Sequence, residues 1–160
     1  MLRILLCLTV VIPFSFGCVG DMKTMEKGDG NASRKVLIAG TESDFKEKVV
    51  EAVVQKLMPG EYYVKITGLG SLEQEDLSPY GAIVLIGPMM AGRIDRHITG
   101  WLKDHPSDPR AIVFYTRGSD DPQPEWAKPK LGVDAVSGAS VDSRVDQHTE
   151  ELVSLIGKRF

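Results

Sequence analysis

The sequence predicts an α/β domain built on a parallel sheet with helices on both faces. Runs of consecutive apolar residues recur along the chain, most clearly at residues 82–86 and 111–115. Strands buried on both faces of a parallel sheet have this continuous pattern. Between the runs, apolar residues repeat every three or four positions, as on one face of a helix. Strands that alternate with helices in this way are typical of a doubly wound sheet with right-handed crossovers.

The elements can be assigned in chain order. Strands are predicted at residues 36–39, 62–66, 82–86, 111–115 and 133–136, and helices at residues 45–57, 94–102 and 145–156. Ser43 can cap the first helix through its hydroxyl. Residues 67–79 lack periodicity, and residues 117–132 contain three prolines, so both segments are predicted to be largely irregular.

Residues 1–17 have the features of a secretory signal. Arg3 gives a positive start, residues 5–16 are uncharged and mainly apolar, and Gly17 ends the run. The run is shorter than the roughly 20 residues that a spanning helix needs. The sequence Ser15-Phe16-Gly17-Cys18 resembles a lipobox, which predicts that Cys18 is the lipidated first mature residue of a membrane-anchored lipoprotein of the bacterial cell envelope. The alternative is an ordinary cleaved signal and a free exported protein.

Composition bounds the remainder of the chain. Residues 18–33 are rich in Gly, Asp and Lys, and are predicted to form the lipidated end and a flexible tether. Residues 34–160 have the length of one domain. Cys7 leaves with the signal and Cys18 is predicted to carry lipid, so no disulfide is expected. The net charge is −3 without a basic stripe, which argues against nucleic acid as a partner.

Two stretches of the domain resemble the flavodoxin family. The first is the strand at residues 35–40 with Thr41-Glu42-Ser43. The second is Tyr80-Gly81, the apolar strand, and the predicted loop Gly87-Pro88-Met89-Met90-Ala91-Gly92, which is similar to the family's loop beside the isoalloxazine ring of FMN. The resemblance covers residues 34–160 and implies a flavodoxin-like, five-stranded, doubly wound sheet. It also implies electron transfer with FMN at the carboxyl ends of the strands, where such folds bind ligands.

The first loop departs from the family in two places. Thr41 and Ser43 match hydroxyls that would hold the FMN phosphate at the start of a helix, where free N–H groups favour anions. Asp44 replaces the family's glycine and brings negative charge, whereas Lys46 replaces a threonine and offsets that charge. The alternative is that these are ordinary helix-start residues without a ligand.

Two other loops carry candidate flavin contacts. Pro88, Met89 and Met90 follow the third strand, and thioethers contact aromatic rings well. Thr116 follows the fourth strand, and Trp126 in the next loop could cover a ring. Alternatively, one methionine packs inward while the other has no role, and Trp126 anchors its loop.

Residues 134–140 read Asp-Ala-Val-Ser-Gly-Ala-Ser. They resemble the signature of exported proteins that carry FMN as a phosphoester on the last hydroxyl, which implies attachment at Ser140. The alternative is a strand-to-helix turn.

Two functions remain open. The protein is a flavin carrier with an unidentified redox partner, or it is a flavodoxin-like scaffold that has lost FMN and binds or organises other envelope components. Neither a catalytic residue nor a metal-ligand spacing is predicted.

Overall fold

The computed structural model describes residues 20–119, 121 and 129–160. Its strands are β1 (Met25–Lys27), β2 (Arg34–Gly40), β3 (Tyr62–Gly68), β4 (Ala82–Met90), β5 (Arg93–Ile94), β6 (Ala111–Arg117) and β7 (Asp134–Ala139). Its helices are α1 (Asp44–Leu57), α2 (Arg96–Asp104) and α3 (Val145–Gly157), with short 3-10 segments at Met58–Gly60, Leu69–Gln74 and Asp142–Arg144. Over these residues, no helix has the length and apolar character to cross a membrane.

The sheet confirms the predicted fold class. Five strands pair in parallel in the order β3-β2-β4-β6-β7. The three most apolar strands are central neighbours: β2 pairs with β4 from Val36↔Ala82, and β4 pairs with β6 from Ile83↔Ala111. This is the flavodoxin-like, doubly wound arrangement, in which the chain adds strands to one side of the first strand and then to the other.

Each face of the sheet has its own core, which explains the continuous apolar runs. Along β2, Val36 and Ile38 face one cluster and Leu37 and Ala39 face the other. Helices α1 and α3 cover the first face. Helix α2 and the 3-10 segment Leu69–Gln74 cover the second.

The predicted flexible tether is wrong for residues 20–33. Strand β1 pairs antiparallel with β3, with Met25 opposite Ile66, and so adds a strand to the edge of the sheet. Met22 is only 6% exposed and belongs to the core. Three residues are too few to give an apolar periodicity, so composition alone could not reveal this strand.

Two element boundaries also differ from the predictions. Strand β4 continues past Gly87 to Met90 and turns back as β5, so the predicted loop at residues 88–92 is a hairpin. Strand β7 continues to Ala139, beyond the predicted end at Val136. Trp126 lies outside the described residues.

Candidate functional site

The β2–α1 connection contains the predicted phosphate-binding residues. Strand β2 ends at Gly40, and Ser43 caps α1 by accepting a hydrogen bond from the Lys46 amide at 3.3 Å. Asp44 is exposed in the first helical turn, where its charge is favourable to the helix dipole. The sequence folds locally as expected, because an extended hydroxyl residue precedes an amphipathic helix.

Lys46 is buried beneath this connection, which the sequence analysis did not predict. Its side chain is 3% exposed, and its Nζ donates to the hydroxyl of Thr41, which is 4% exposed. Burial lowers the Lys46 pKa to about 8, and the nearby carboxylate of Asp95 acts in the opposite direction. A pattern could have revealed the burial, since Lys46 precedes Val49, Val50 and Val53 by three, four and seven positions.

Asp95 connects this cluster to the second helix. It caps α2 by accepting a hydrogen bond from the His97 amide at 2.8 Å, and it directly follows β5. Thr41, Lys46 and Asp95 therefore form a polar cluster at the openings of two helices, on the carboxyl edge of the sheet. A cation at this point can act as the charge partner of an anionic ligand, at the edge where parallel sheets bind ligands.

Two backbone amides of the β2–α1 connection already donate hydrogen bonds within the protein. The Thr41 amide donates to Ile86 O at 3.1 Å, and the Glu42 amide donates to Gly20 O at 2.6 Å. An incoming phosphate would therefore find fewer free N–H groups than an open helix terminus offers.

Residues 20–22 form an N-terminal strap across the same edge. The Met22 amide donates to Gly40 O at 2.9 Å, and Asp21 forms a bridge with Thr41. Asp21 Oδ2 accepts a hydrogen bond from the Gly70 amide at 3.0 Å. A Cβ at Gly68 would lie 2.5 Å from the Asp21 Cβ, so the strap requires a glycine there. No local pattern in the sequence indicates the strap, so it was not predicted.

The β4–β5 hairpin separates the two predicted methionine contacts. Met89 is half-buried and packs on the core of the α2 face, whereas Met90 is 66% exposed. The alternation of side chains along a strand causes this difference. Ala91 and Gly92 turn the hairpin with positive φ angles of 48° and 75°. One methionine therefore packs inward, and only Met90 is freely available to a ligand or surface.

Pro88, Thr116 and Ser140 lie along the same carboxyl edge. Pro88 pairs with Thr116 across β4 and β6, and Thr116 is 5% exposed. Ser140 is exposed just after β7, and its amide donates to Arg117 O at 3.1 Å. Lys46 is hydrogen-bonded to both Thr41 and Ser43. Ser140 is distant from them along the edge, because β4 and β6 separate its strand, β7, from β2.

Gly138 in the last motif has a structural explanation. The buried ring of His148 on α3 packs over it, and a Cβ at Gly138 would lie 1.9 Å from His148 Nε2. The ring also packs between Phe45 and Phe114, and neither ring nitrogen has a hydrogen-bond partner among the described residues. The glycine of the motif is therefore required by helix packing, whether or not a flavin is attached at Ser140.

A cavity of about 610 Å³ lies between α1 and the added strand β1. Its lining is mixed: the apolar side chains are Met22, Met25, Val50, Val54, Met58 and Ile66, and the polar or charged ones are Lys23, Lys27, Glu47, Glu51 and Gln55. In the described part of the chain, no group of three or more His, Cys, Asp or Glu side chains could hold a metal ion.

Comparison with known proteins supports the fold and goes no further. No family model matches the chain, and no curated protein is significantly similar to it in sequence. Among solved structures, oxidised flavodoxin 2 from Bacillus cereus is 14% identical with a TM-score of 0.55, over 79% of this chain and 99% of that one. A flavodoxin from the domain Archaea is 9% identical with a TM-score of 0.56, over 78% and 98%. The flavodiiron core of Flv1 from Synechocystis sp. PCC6803 is 12% identical with a TM-score of 0.54, over 81% of this chain but only 36% of that one.

Proposed function

We propose that the protein is an exported lipoprotein whose flavodoxin-like domain binds FMN at the carboxyl edge of its sheet and transfers electrons. The observation that carries the proposal is the buried ammonium of Lys46, held by the hydroxyl of Thr41 at the opening of α1. A lysine that serves only solubility stays in water, because burying an ammonium is costly. The proposal is supported by the position of this cation at the carboxyl edge of a parallel sheet, the edge at which such folds bind ligands.

The residues of the polar cluster fit a phosphate in part. Lys46 would supply the opposing charge, and the hydroxyls of Thr41 and Ser43 would supply hydrogen bonds. The exposed carboxylate of Asp44 opposes the phosphate charge. The Glu42 amide can donate to a ligand only after it leaves Gly20 O, so phosphate entry requires a local rearrangement of the strap.

The flavin ring would lie between the β4–β5 hairpin and the segment that follows Thr116. FMN would supply the redox chemistry when bound, and the chain would supply position and environment. Pro88 and Thr116 are paired neighbours at that place. Met90 is the exposed thioether that could contact the ring.

The direct test is titration of FMN with protein, in which quenching of the flavin fluorescence measures binding. Lys46→Met should weaken FMN binding by roughly 10- to 100-fold, the value of a hydrogen bond to a charged group. Lys48→Met is a matched control, because Lys48 is on the same helix but half-exposed and paired with Asp142 at 2.6 Å. Riboflavin, which lacks the phosphate, should bind both variants equally.

Charge at the first turn gives a second readout. Asp44→Gly removes the opposing carboxylate and should tighten FMN binding by up to roughly 1 kcal/mol, the scale of a helix-terminus charge effect. Equal affinity of the wild type, Lys46→Met and Asp44→Gly for FMN would show that the phosphate does not bind at this cluster.

Covalent attachment at Ser140 makes a different prediction. The exposed position of Ser140 at the end of β7 is compatible with access of a transferring enzyme. Flavin would then remain with the denatured protein, and Ser140→Ala would yield colourless protein while Lys46→Met changed little.

The second candidate is a scaffold that has lost FMN. It is favoured by one observation: Thr41 and Lys46 are already buried and paired, and the amides of Thr41 and Glu42 already have partners. A protein purified from its own envelope without yellow colour, together with FMN titration that shows no quenching, would establish the scaffold and refute the flavin carrier.

Membrane anchoring at Cys18 is the remaining part of the proposal. It is supported by the signal-like residues 1–17 and the lipobox-like end of that run. Cys18→Ser should move the protein from the membrane fraction to the soluble fraction and remove the lipid mass. Unchanged fractionation, together with wild-type protein of unmodified mass, would refute lipidation.

A further inference from the structure

The N-terminal strap brings the proposed lipid anchor close to the carboxyl edge of the sheet. Gly20 O is bonded to the Glu42 amide at 2.6 Å, and the buried Met22 is bonded to Gly40 O at 2.9 Å. Cys18 lies two residues before Gly20. Two residues can span at most about 7 Å, so a lipid on Cys18 enters the bilayer beside this edge.

The β4–β5 hairpin projects from the same edge and has an apolar and a basic side chain at its tip. Strand β4 pairs with β6 as far as Pro88, so Met90 lies two residues beyond that pairing. Met90 is 66% exposed, and Arg93, which pairs with it across the hairpin, is also exposed. Apolar side chains beside basic ones are typical of protein surfaces that bind at a lipid headgroup layer.

A second exposed apolar residue lies on this edge. The exposed large hydrophobic residues of the described chain are Met25, Met90, Val141 and Phe160. Val141 is 42% exposed and follows β7 at its carboxyl end. By contrast, Phe160 packs on Tyr62 at the amino edge, and Met25 is on the lateral edge strand β1. Two of these four residues, Met90 and Val141, therefore lie on the same edge of the sheet as the strap.

We propose that the carboxyl edge of the sheet faces the lipid bilayer. This inference rests on the lipidation of Cys18 in the proposed function. The lipid on Cys18 holds the protein, Met90 and Val141 enter the headgroup region, and Arg93 contacts anionic headgroups. Four exposed carboxylates on this edge, those of Asp21, Glu42, Asp44 and Asp142, limit the contact to this shallow depth.

The orientation restricts the class of electron partner. The polar cluster and the hairpin lie on the surface that faces the membrane, so the partner must approach within the plane of the membrane. A membrane-embedded protein or a lipid-soluble carrier meets this requirement. A freely diffusing protein that docks from the aqueous side does not.

The test uses the full lipidated protein in vesicles of phosphatidylcholine and phosphatidylglycerol with brominated acyl chains. The mature lipidated chain has no free thiol, so an introduced cysteine can be labelled specifically. Met90→Cys and Val141→Cys place a polarity-sensitive fluorophore on the carboxyl edge. Asn31→Cys is the control, since Asn31 is exposed in the turn that precedes β2 at the opposite edge.

We expect the brominated lipid to quench the labels at positions 90 and 141 several-fold more than the label at position 31. Equal quenching at all three positions, or none on protein that sediments with the vesicles, would overturn the proposed orientation. Labels at positions 90 and 141 that are shielded from water only in native envelope membranes, and not in the vesicles, would assign this edge to a protein partner. That result would also overturn the proposed orientation. FMN binding is measured separately on the unlabelled wild type, because Met90 is a proposed flavin contact, and the lipid on Cys18 is confirmed by the mass of each labelled protein. Failure of the orientation is therefore distinguishable from failure of flavin binding and from failure of lipidation.

Discussion

Lys46→Met retains an unbranched side chain of similar length but removes the buried ammonium, and we expect it to stabilise the fold at neutral pH. Burial lowers the Lys46 pKa from 10.5 to about 8. At about 1.36 kcal/mol per pKa unit, this difference corresponds to roughly 3 kcal/mol against the charged form. Loss of the bond to Thr41 leaves a buried hydroxyl without its partner, which costs about 1–2 kcal/mol. The expected net gain in the free energy of unfolding is therefore about 1–2 kcal/mol.

The pH dependence has a defined sign. The folded protein releases the Lys46 proton near pH 8, whereas the unfolded chain retains it until about pH 10.5. Between these values the unfolded state binds more protons, so the wild-type protein gains stability as the pH rises. The gain is about 2 kcal/mol between about pH 7 and about pH 9.5, and it is absent in Lys46→Met.

Urea unfolding followed by circular dichroism at the two pH values measures both effects. The advantage of Lys46→Met over the wild type should disappear or reverse at the higher pH. Lys48→Met removes the same charge from the exposed side of the same helix, and it should change stability by no more than about 1 kcal/mol at either pH. A Lys46→Met protein that is less stable than the wild type at neutral pH, with the same pH dependence, would refute the reasoning.

Three further changes test the packing around the site by urea unfolding. Gly138→Ala should destabilise the protein by about 1–3 kcal/mol because its methyl group overlaps the His148 ring, and adding His148→Ala should recover part of that loss; no recovery would contradict the overlap. Met22→Ala should cost about 2–5 kcal/mol if the strap is part of the core, whereas a flexible strap would give no change. Gly68→Ala should displace Asp21 and expose the strap to limited proteolysis, and resistance equal to that of the wild type would contradict this contact.

The fold could be predicted from the sequence because the continuous apolar runs are concentrated in a few strands. The apolar runs in β2, β4 and β6 could be buried only in the middle of a covered sheet, and these three strands are central neighbours. The ends of these strands also located Thr41, Pro88 and Thr116 on one edge. Position along a parallel strand is sufficient for this, because parallel strands end on the same side.

The features that could not be predicted from the sequence depend on contacts between distant parts of the chain. The strap is fixed by backbone hydrogen bonds to Gly40 and Glu42. Such bonds form with almost any residue type, so the amino-acid sequence does not indicate them. The methionine pair was interpreted as a loop, and only the β4–β5 pairing separates the two side chains into an inner and an outer one. Burial of Lys46 was recoverable from its helical spacing, but a charged residue on an apolar face is usually assigned to the surface.

Lys46 also bears on the choice between the two proposed functions. A buried ammonium that is expected to lower stability by about 1–2 kcal/mol relative to methionine has no advantage in a scaffold that binds nothing at this edge. In a phosphate-binding protein, the same residue is the group that a dianion requires. A site that departs from the most stable choice of residue is expected where function depends on the departure. If Lys46→Met stabilises the fold and also abolishes the difference in affinity between FMN and riboflavin, the lysine is explained by the ligand. If Lys46→Met stabilises the fold while no flavin binds, flavin binding does not explain why a destabilising lysine occupies this position.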